Sequence, residues 1–209
     1  MKEINLNIPS SWDEVTIKQF TKVTLAEGNV YEKMITVLSA LTDTPEDDIR
    51  TLPAAWVEQY GISEKLAFLT KEPVKKMPLD KLTLNGKKYE VQLYPAKWTA
   101  AQYLDYCSVM GEENDKKIAR IIACFCIPED KKYGEGYDFD EVVNEIYSFM
   151  PITTALGYAG FFQLQLESFA KAIRRYTSRK KNRRLTRRQA DRLMKRGLKA
   201  GSMSNGTAS

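Results

Sequence analysis

Apolar and polar residues alternate from Lys2 to Ile8, which places Ile4, Leu6 and Ile8 on one face before Pro9 ends the run. That period of two predicts a short half-buried strand. A second alternating stretch covers 81–94, where Leu82 and Leu84 precede Asn85-Gly86 and Tyr89, Val91 and Leu93 follow. Asn-Gly between such runs predicts a hairpin, because a type I′ turn needs positive φ at both central residues. A lone hairpin is marginally stable, so the simplest arrangement pairs it with the N-terminal strand.

Elsewhere the period is helical. Ser11-x-x-Glu14 reads as a capping box, and Trp12, Val15, Phe20, Val23 and Ala26 share one broad face. Ile17 and Leu25 fall off that face and predict packing on two sides. Asn29-x-x-Glu32 opens a second helix with Tyr31, Met34, Ile35, Leu38 and Leu41 at helical spacing. Thr44-Pro45 reads as an N-cap followed by an N1 proline, starting a short helix through Ile49. Residues 53–69 predict one or two helices interrupted at Gly61, and Lys71 to Asp80, with Pro73 and Pro78, reads as a linker.

The same grammar returns after the hairpin. Trp98 to Met110 predicts a helix, and Ile118, Ile121, Ile122 and Phe125 predict another that Pro128 ends. Lys131 to Tyr137 is a polar loop containing Gly134 and Gly136, with Tyr133 and Tyr137 as its candidate exposed contacts. Asp138-x-x-Glu141 caps a helix bearing Val142, Ile146, Tyr147, Phe149 and Met150. A long helix from about Thr154 then carries Phe162, Leu166, Phe169 and Ile173 on one stripe. Trp12, Trp56 and Trp98 each stand near a predicted helix start, where core or staple roles are expected.

An internal echo links the two helical stretches. At a shift of 83 residues, Thr16, Gln19, Gly28, Lys33, Ile35 and Ala40 meet Thr99, Gln102, Gly111, Lys116, Ile118 and Ala123. Phe20 meets Tyr103 and Leu38 meets Ile121. The coincidence of helix starts, glycine and apolar stripe favours duplication over two hairpins alike by composition alone.

Charge changes this picture most. Residues 1–170 hold 18 Lys/Arg against 26 Asp/Glu, whereas 171–199 hold 14 Lys/Arg against Asp191 alone. An acidic body therefore carries a cationic arm, and such an arm is a binding device. Its candidate contact residues are Arg174, Arg175, Arg179, Lys180, Lys181, Arg183, Arg184, Arg187, Arg188, Arg192, Lys195 and Arg196, with Leu193 and Met194 as apolar anchors. Thr186-x-x-Gln189 and Gly197 predict a helix within it, and 200–209 read as a polar end. Three readings compete: nucleic-acid binding by counterion release, docking on an acidic protein segment, and a solvated tail without a dedicated partner. Tyr176 is the one aromatic among these charges, so base stacking is poorly served. Membrane-surface binding is disfavoured because the apolar face lacks Trp and Phe.

Candidate chemistry is sparse. The chain has no histidine, which removes Ser-His-Asp and Cys-His nucleophile pairs and histidine metal sites. No phosphate-binding glycine motif or calcium loop is present. Cys107, Cys124 and Cys126 lie in apolar surroundings and read as buried thiols. The start lacks an apolar signal region, and the longest apolar run, 121–127, is too short to cross a bilayer, so a cytosolic-type protein is expected.

The run Ile8-Pro9-Ser10-Ser11-Trp12-Asp13-Glu14-Val15-Thr16-Ile17-Lys18-Gln19-Phe20 carries a family resemblance. So do Val37-Leu38-Ser39-Ala40-Leu41-Thr42 with Pro45-Glu46-Asp47-Asp48-Ile49, and the Leu84-Asn85-Gly86-Lys87-Lys88-Tyr89 hairpin. Together they resemble small proteins of tailed-phage morphogenesis clusters, tail assembly chaperones in particular. The resemblance implies a mostly helical, non-enzymatic protein that binds the tape-measure protein and keeps it soluble in the host cytoplasm. It implies no catalytic residues, metal or cofactor, and it does not extend to the basic arm. A nucleic-acid-binding protein acting through 171–199 and a structural virion protein are the alternatives, and an oligomer is possible.

The expected fold is α+β and predominantly α-helical, with two related helical units flanking a small antiparallel sheet. The expected segments are 1–73, strand plus first helical unit; 74–170, linker, hairpin and second helical unit; and 171–209, basic helical arm and flexible tail.

Overall fold

A computed structural model describes residues 6–53, 61–171 and 174–175. The chain divides into compact units Met1–Gln163 and Leu164–Ser209, so both helical hairpins lie in the first. The fold is α+β and mainly helical, as the hydrophobic periods predict.

The first hairpin joins α1 (Ile17–Thr24) to α2 (Val30–Thr42), and α3 (Glu46–Arg50) follows. Asn29 caps α2 as its sequence predicts, accepting from the Tyr31 and Glu32 amides while Glu32 returns to the Asn29 amide. Helix α1 starts later than Ser11-x-x-Glu14 implies. Its cap is Thr16, boxed with Gln19, and the Glu14 carboxylate instead accepts from the Ser10 amide and hydroxyl. The backbone at 15–17 must stay extended because it pairs with 150–152: Ile17 N–H donates to the Met150 carbonyl (3.1 Å) and Ile152 N–H to that of Val15 (2.8 Å). At α3 the cap is Pro45, with no side-chain hydrogen bond, so Thr44 does not serve as its cap. Beyond Gly61 come α4 (Ile62–Lys65) and a 3₁₀ turn, Leu66–Thr70. Ile35, Leu38, Ile49 and Ile62 form the core of this half. Trp56 lies outside the described residues.

The sheet has the order β1 (Lys81–Leu84), β2 (Lys87–Val91), β3 (Cys126–Pro128), antiparallel throughout. Asn85 and Gly86 turn the hairpin with φ of 46° and 79°, as a type I′ turn requires. The third strand is not the expected N-terminal one. Residues 6–9 carry no strand pairing and 1–5 lie outside the described residues. Val91 pairs with Cys126 and Tyr89 with Pro128 instead. The apolar spacing predicts one helix over 118–125, whereas α6 (Lys117–Ala123) ends sooner and the chain turns into β3. Residues 121–127 are all buried, and an unbroken apolar run has no period to tell helix from strand.

The second hairpin joins α5 (Ala100–Met110) to α6. It repeats a device of the first. Gln19 closes a box with Thr16 and donates from Nε2 to the Leu41 carbonyl (3.1 Å). Gln102 closes a box with Thr99 and donates to the Cys124 carbonyl (3.0 Å). Both bonds span 22 residues, and all four positions obey the 83-residue shift. Helix α7 (Phe139–Phe149), capped by Asp138, packs on both α1 and α6 and so ties the hairpins together.

Helical residues 152–163, here α8, close the first unit. Phe162 stacks on Phe125 at 4.2 Å between ring centres, and Trp98, Tyr106 and Tyr158 complete an aromatic core. Trp12 packs edge-on against Phe20 and Phe68. The second unit opens with helical residues 164–171.

Two further expectations need correction. Cys124 and Cys126 are buried but Cys107 is exposed, because α5 turns Gln102, Tyr106 and Val109 inward and leaves 107 on the other side. Tyr133 and Tyr137 are half-buried, and the Tyr133 hydroxyl donates to Asp105 (2.6 Å). The loop they belong to therefore folds back on α5.

Candidate partner-binding surfaces

Of the predicted contact residues, Arg174 and Arg175 are described: both are helical and exposed. Arg179, Lys180, Lys181, Arg183, Arg184, Arg187, Arg188, Arg192, Leu193, Met194, Lys195 and Arg196 lie outside the described residues.

Several acids of the first unit are already matched. Lys87 bridges Glu141 (2.7 Å) and Glu145 (2.9 Å) of α7, and the two carboxylates hold its ammonium well above the usual lysine range. Arg120 faces Glu112 (3.2 Å) and Asp140 (3.6 Å). These pairs fix β2 and α6 to their neighbours. Desolvation pushes the Cys124 thiol up to about 12 and raises that of Cys126 as well, which disfavours the reactive thiolate at both.

A second surface lies where the sequence predicts only a linker. Residues 71–80 form a strap with no regular structure, yet its backbone is held at every few residues. Trp12 Nε1 donates to the Lys71 carbonyl (2.7 Å), and Lys76 N–H to that of Thr153 (3.0 Å). The Tyr158 hydroxyl donates to the Leu79 carbonyl (2.7 Å) and accepts from its N–H (3.1 Å). A Cβ at Gly157 would collide with the Lys76 carbonyl, so only glycine lets the strap lie this close to α8. Lys76 Nζ also pairs with Asp13 (2.9 Å), which accepts from the Thr153 hydroxyl (2.7 Å). The hydroxyl first and the ammonium second hold the Asp13 carboxyl below its usual range.

Although pinned by its backbone, the strap turns apolar side chains outward. Val74 is 78% exposed, Met77 89% and Leu79 66%. Beside it, Trp12, Phe68 and Val74 line a shallow, mainly apolar groove of about 260 Å³. The sequence signal was available: three large apolar residues in a Pro-containing segment otherwise dominated by charge. Apolar residues at positions of no secondary-structure period are either buried by tertiary contact or displayed, and here they are displayed.

Among the described residues no group of three or more His, Cys, Asp or Glu is placed to hold a metal ion. No helix among them is long and apolar enough to cross a membrane. Comparison with protein-family models, curated proteins and solved structures finds no match to this chain.

Proposed function

We propose that this chain is a non-enzymatic morphogenesis factor of a tailed phage, a tail assembly chaperone that binds the tape-measure protein. The strap carries this reading: a segment locked to the body through its main chain, with Val74, Met77 and Leu79 turned to solvent next to an apolar groove. Such a surface suits the apolar stripe of a long helical client, because the contact needs little further ordering of the strap. The family resemblance of 8–20, 37–49 and 84–89 supplies the client. The cationic arm adds attraction to acidic stretches of that client.

Co-expression with the tape-measure chain tests the proposal. The client is expected in the soluble fraction with the wild-type chain and largely in the pellet with the double variant Val74→Ser, Met77→Ser. Both side chains are exposed, so the variant should fold normally. Equal client solubility with the variant, or without the chain altogether, contradicts the reading.

The charge of 171–199 favours a second reading, nucleic-acid binding through the arm. It predicts an affinity that falls steeply with salt and vanishes on deletion of 171–209. Recovery of the chain in stoichiometric amount from purified particles would instead mark a structural virion protein.

A further inference from the structure

The two helical hairpins provide an internal control that singles out the connection between α1 and α2. The 83-residue shift sets Leu25, Val30, Tyr31 and Met34 against Ser108, Glu113, Asn114 and Lys117. The connections differ in detail, since α5 continues to Met110 while α1 stops at Thr24. At the second connection the polar side chains bond locally: Lys117 Nζ donates to the Met110 carbonyl (3.0 Å), and Asn114 Nδ2 to Glu112 (2.9 Å). Helix α6 starts at Lys117, later than the shift from Val30 would place it, but the second connection does show that two such helices can be joined through polar residues.

The first connection has them nonetheless, and displays them. Leu25 is 67% exposed, Val30 87% and Tyr31 53%, with Met34 half-buried behind them. One such residue would be unremarkable on a protein surface; several large ones around a single short turn make a patch. Its frame is firm. The Asn29 capping box fixes the start of α2, and Gly28, at φ +107°, leaves no room for a Cβ beside the Glu32 carboxylate. Val30, Tyr31 and Met34 belong to α2, and Leu25 is tied to the end of α1 by its N–H on the Thr21 carbonyl, so a partner would meet a largely preformed knob.

The rim indicates the partner. Lys22, Glu27, Glu32 and Lys33 are all exposed around it, two of each sign. A rim with no net charge neither attracts a polyanion nor favours a cationic segment. It does suit its own image under a two-fold axis, where each lysine can face a glutamate across the contact.

We propose that a second copy of this chain docks here, first hairpin against first hairpin, in an isologous pair. The contact uses Leu25, Val30 and Tyr31 and none of the strap residues Val74, Met77 and Leu79. The proposal is independent of the client-binding reading, and either can fail alone.

Sedimentation equilibrium of the full chain tests it, at about 0.5 M salt, where the Debye length is only a few ångströms and bridging by nucleic acid is suppressed. The wild type is expected to move from one-chain to two-chain mass as its concentration rises toward about 100 μM, the range of weak specific association. The triple variant Leu25→Ser, Val30→Glu, Tyr31→Asn installs the residues of the second hairpin. It should raise the dissociation constant at least tenfold while its circular dichroism and unfolding midpoint stay as wild type. Should the triple variant misfold, Val30→Glu alone carries the test, because an acid in the first turn of α2 suits the helix dipole. Leu104→Ser removes a similarly exposed side chain of the second hairpin (65%) and should leave the constant unchanged. A wild type that stays at one-chain mass, or equal weakening by Leu104→Ser, overturns the proposal.

Discussion

Asp13 shows how much one surface residue can organise. Its carboxylate gathers Thr153, at the start of α8, and Lys76, on the strap, into one cluster. Both partners favour the ionised form, so its folded pKa lies below the unfolded one. The stabilisation is complete above the unfolded value and disappears as pH falls through the folded one. Asp13→Asn should therefore cost about 0.5 kcal/mol at neutral pH, modest because the pair is half exposed. It should also flatten the loss of stability below about pH 4, the unfolded carboxylate range. Urea titrations across pH check both, and an unchanged acid limb would refute the cluster's role. None of this is legible in the sequence, because Asp13 and Thr153 stand 140 residues apart. The histidine-free composition was legible, and so was the burial of Cys124 and Cys126; Cys107 was misread because an apolar neighbourhood in sequence says nothing about which side of α5 it occupies.

Elements were legible where a single residue type is nearly obligatory. Asn85-Gly86 dictates its turn, Asn29-x-x-Glu32 and Asp138 start their helices, and each does so as its sequence predicts. They were not legible where local rules allow two answers. Ser11-x-x-Glu14 and Thr16-x-x-Gln19 are both plausible boxes, and backbone pairing of 15–17 with 150–152 selects the second. The run 121–127 is buried on all sides, so its change from α6 to β3 leaves no periodic trace.

The paired glutamines lock each helical hairpin in the same way. Gln102 is fully buried and bonds the Thr99 amide and the Cys124 carbonyl at once. Gln102→Ala should strand both groups and cost about 2–3 kcal/mol, with Gln19→Ala following the same pattern at somewhat lower cost. Chemical denaturation measures this, and a loss under 0.5 kcal/mol at Gln102 would contradict the buried-box account. Gly157→Ala probes the strap: the added methyl meets the Lys76 carbonyl, so a loss of about 1–3 kcal/mol is expected. Protease sensitivity of 71–80 should rise in parallel. A stable, protease-resistant variant would show that the strap does not need its close seat on α8.

On the scale of the whole molecule, the uneven charge was plain from the sequence and the apolar strap was not. A charge run needs no fold to be recognised, whereas display of Val74, Met77 and Leu79 follows only from where their backbone is anchored. The proposed function is binding by surface: apolar contact through the body, with electrostatic help from the arm. Gel filtration with light scattering tests this most directly, using the full chain co-expressed with the tape-measure protein and eluted at about 0.5 M salt, where arm-driven contacts are screened. The account predicts one soluble species containing both proteins and no nucleic acid. Separate elution of the chain, with the client insoluble and nucleic acid released by the salt, would contradict it.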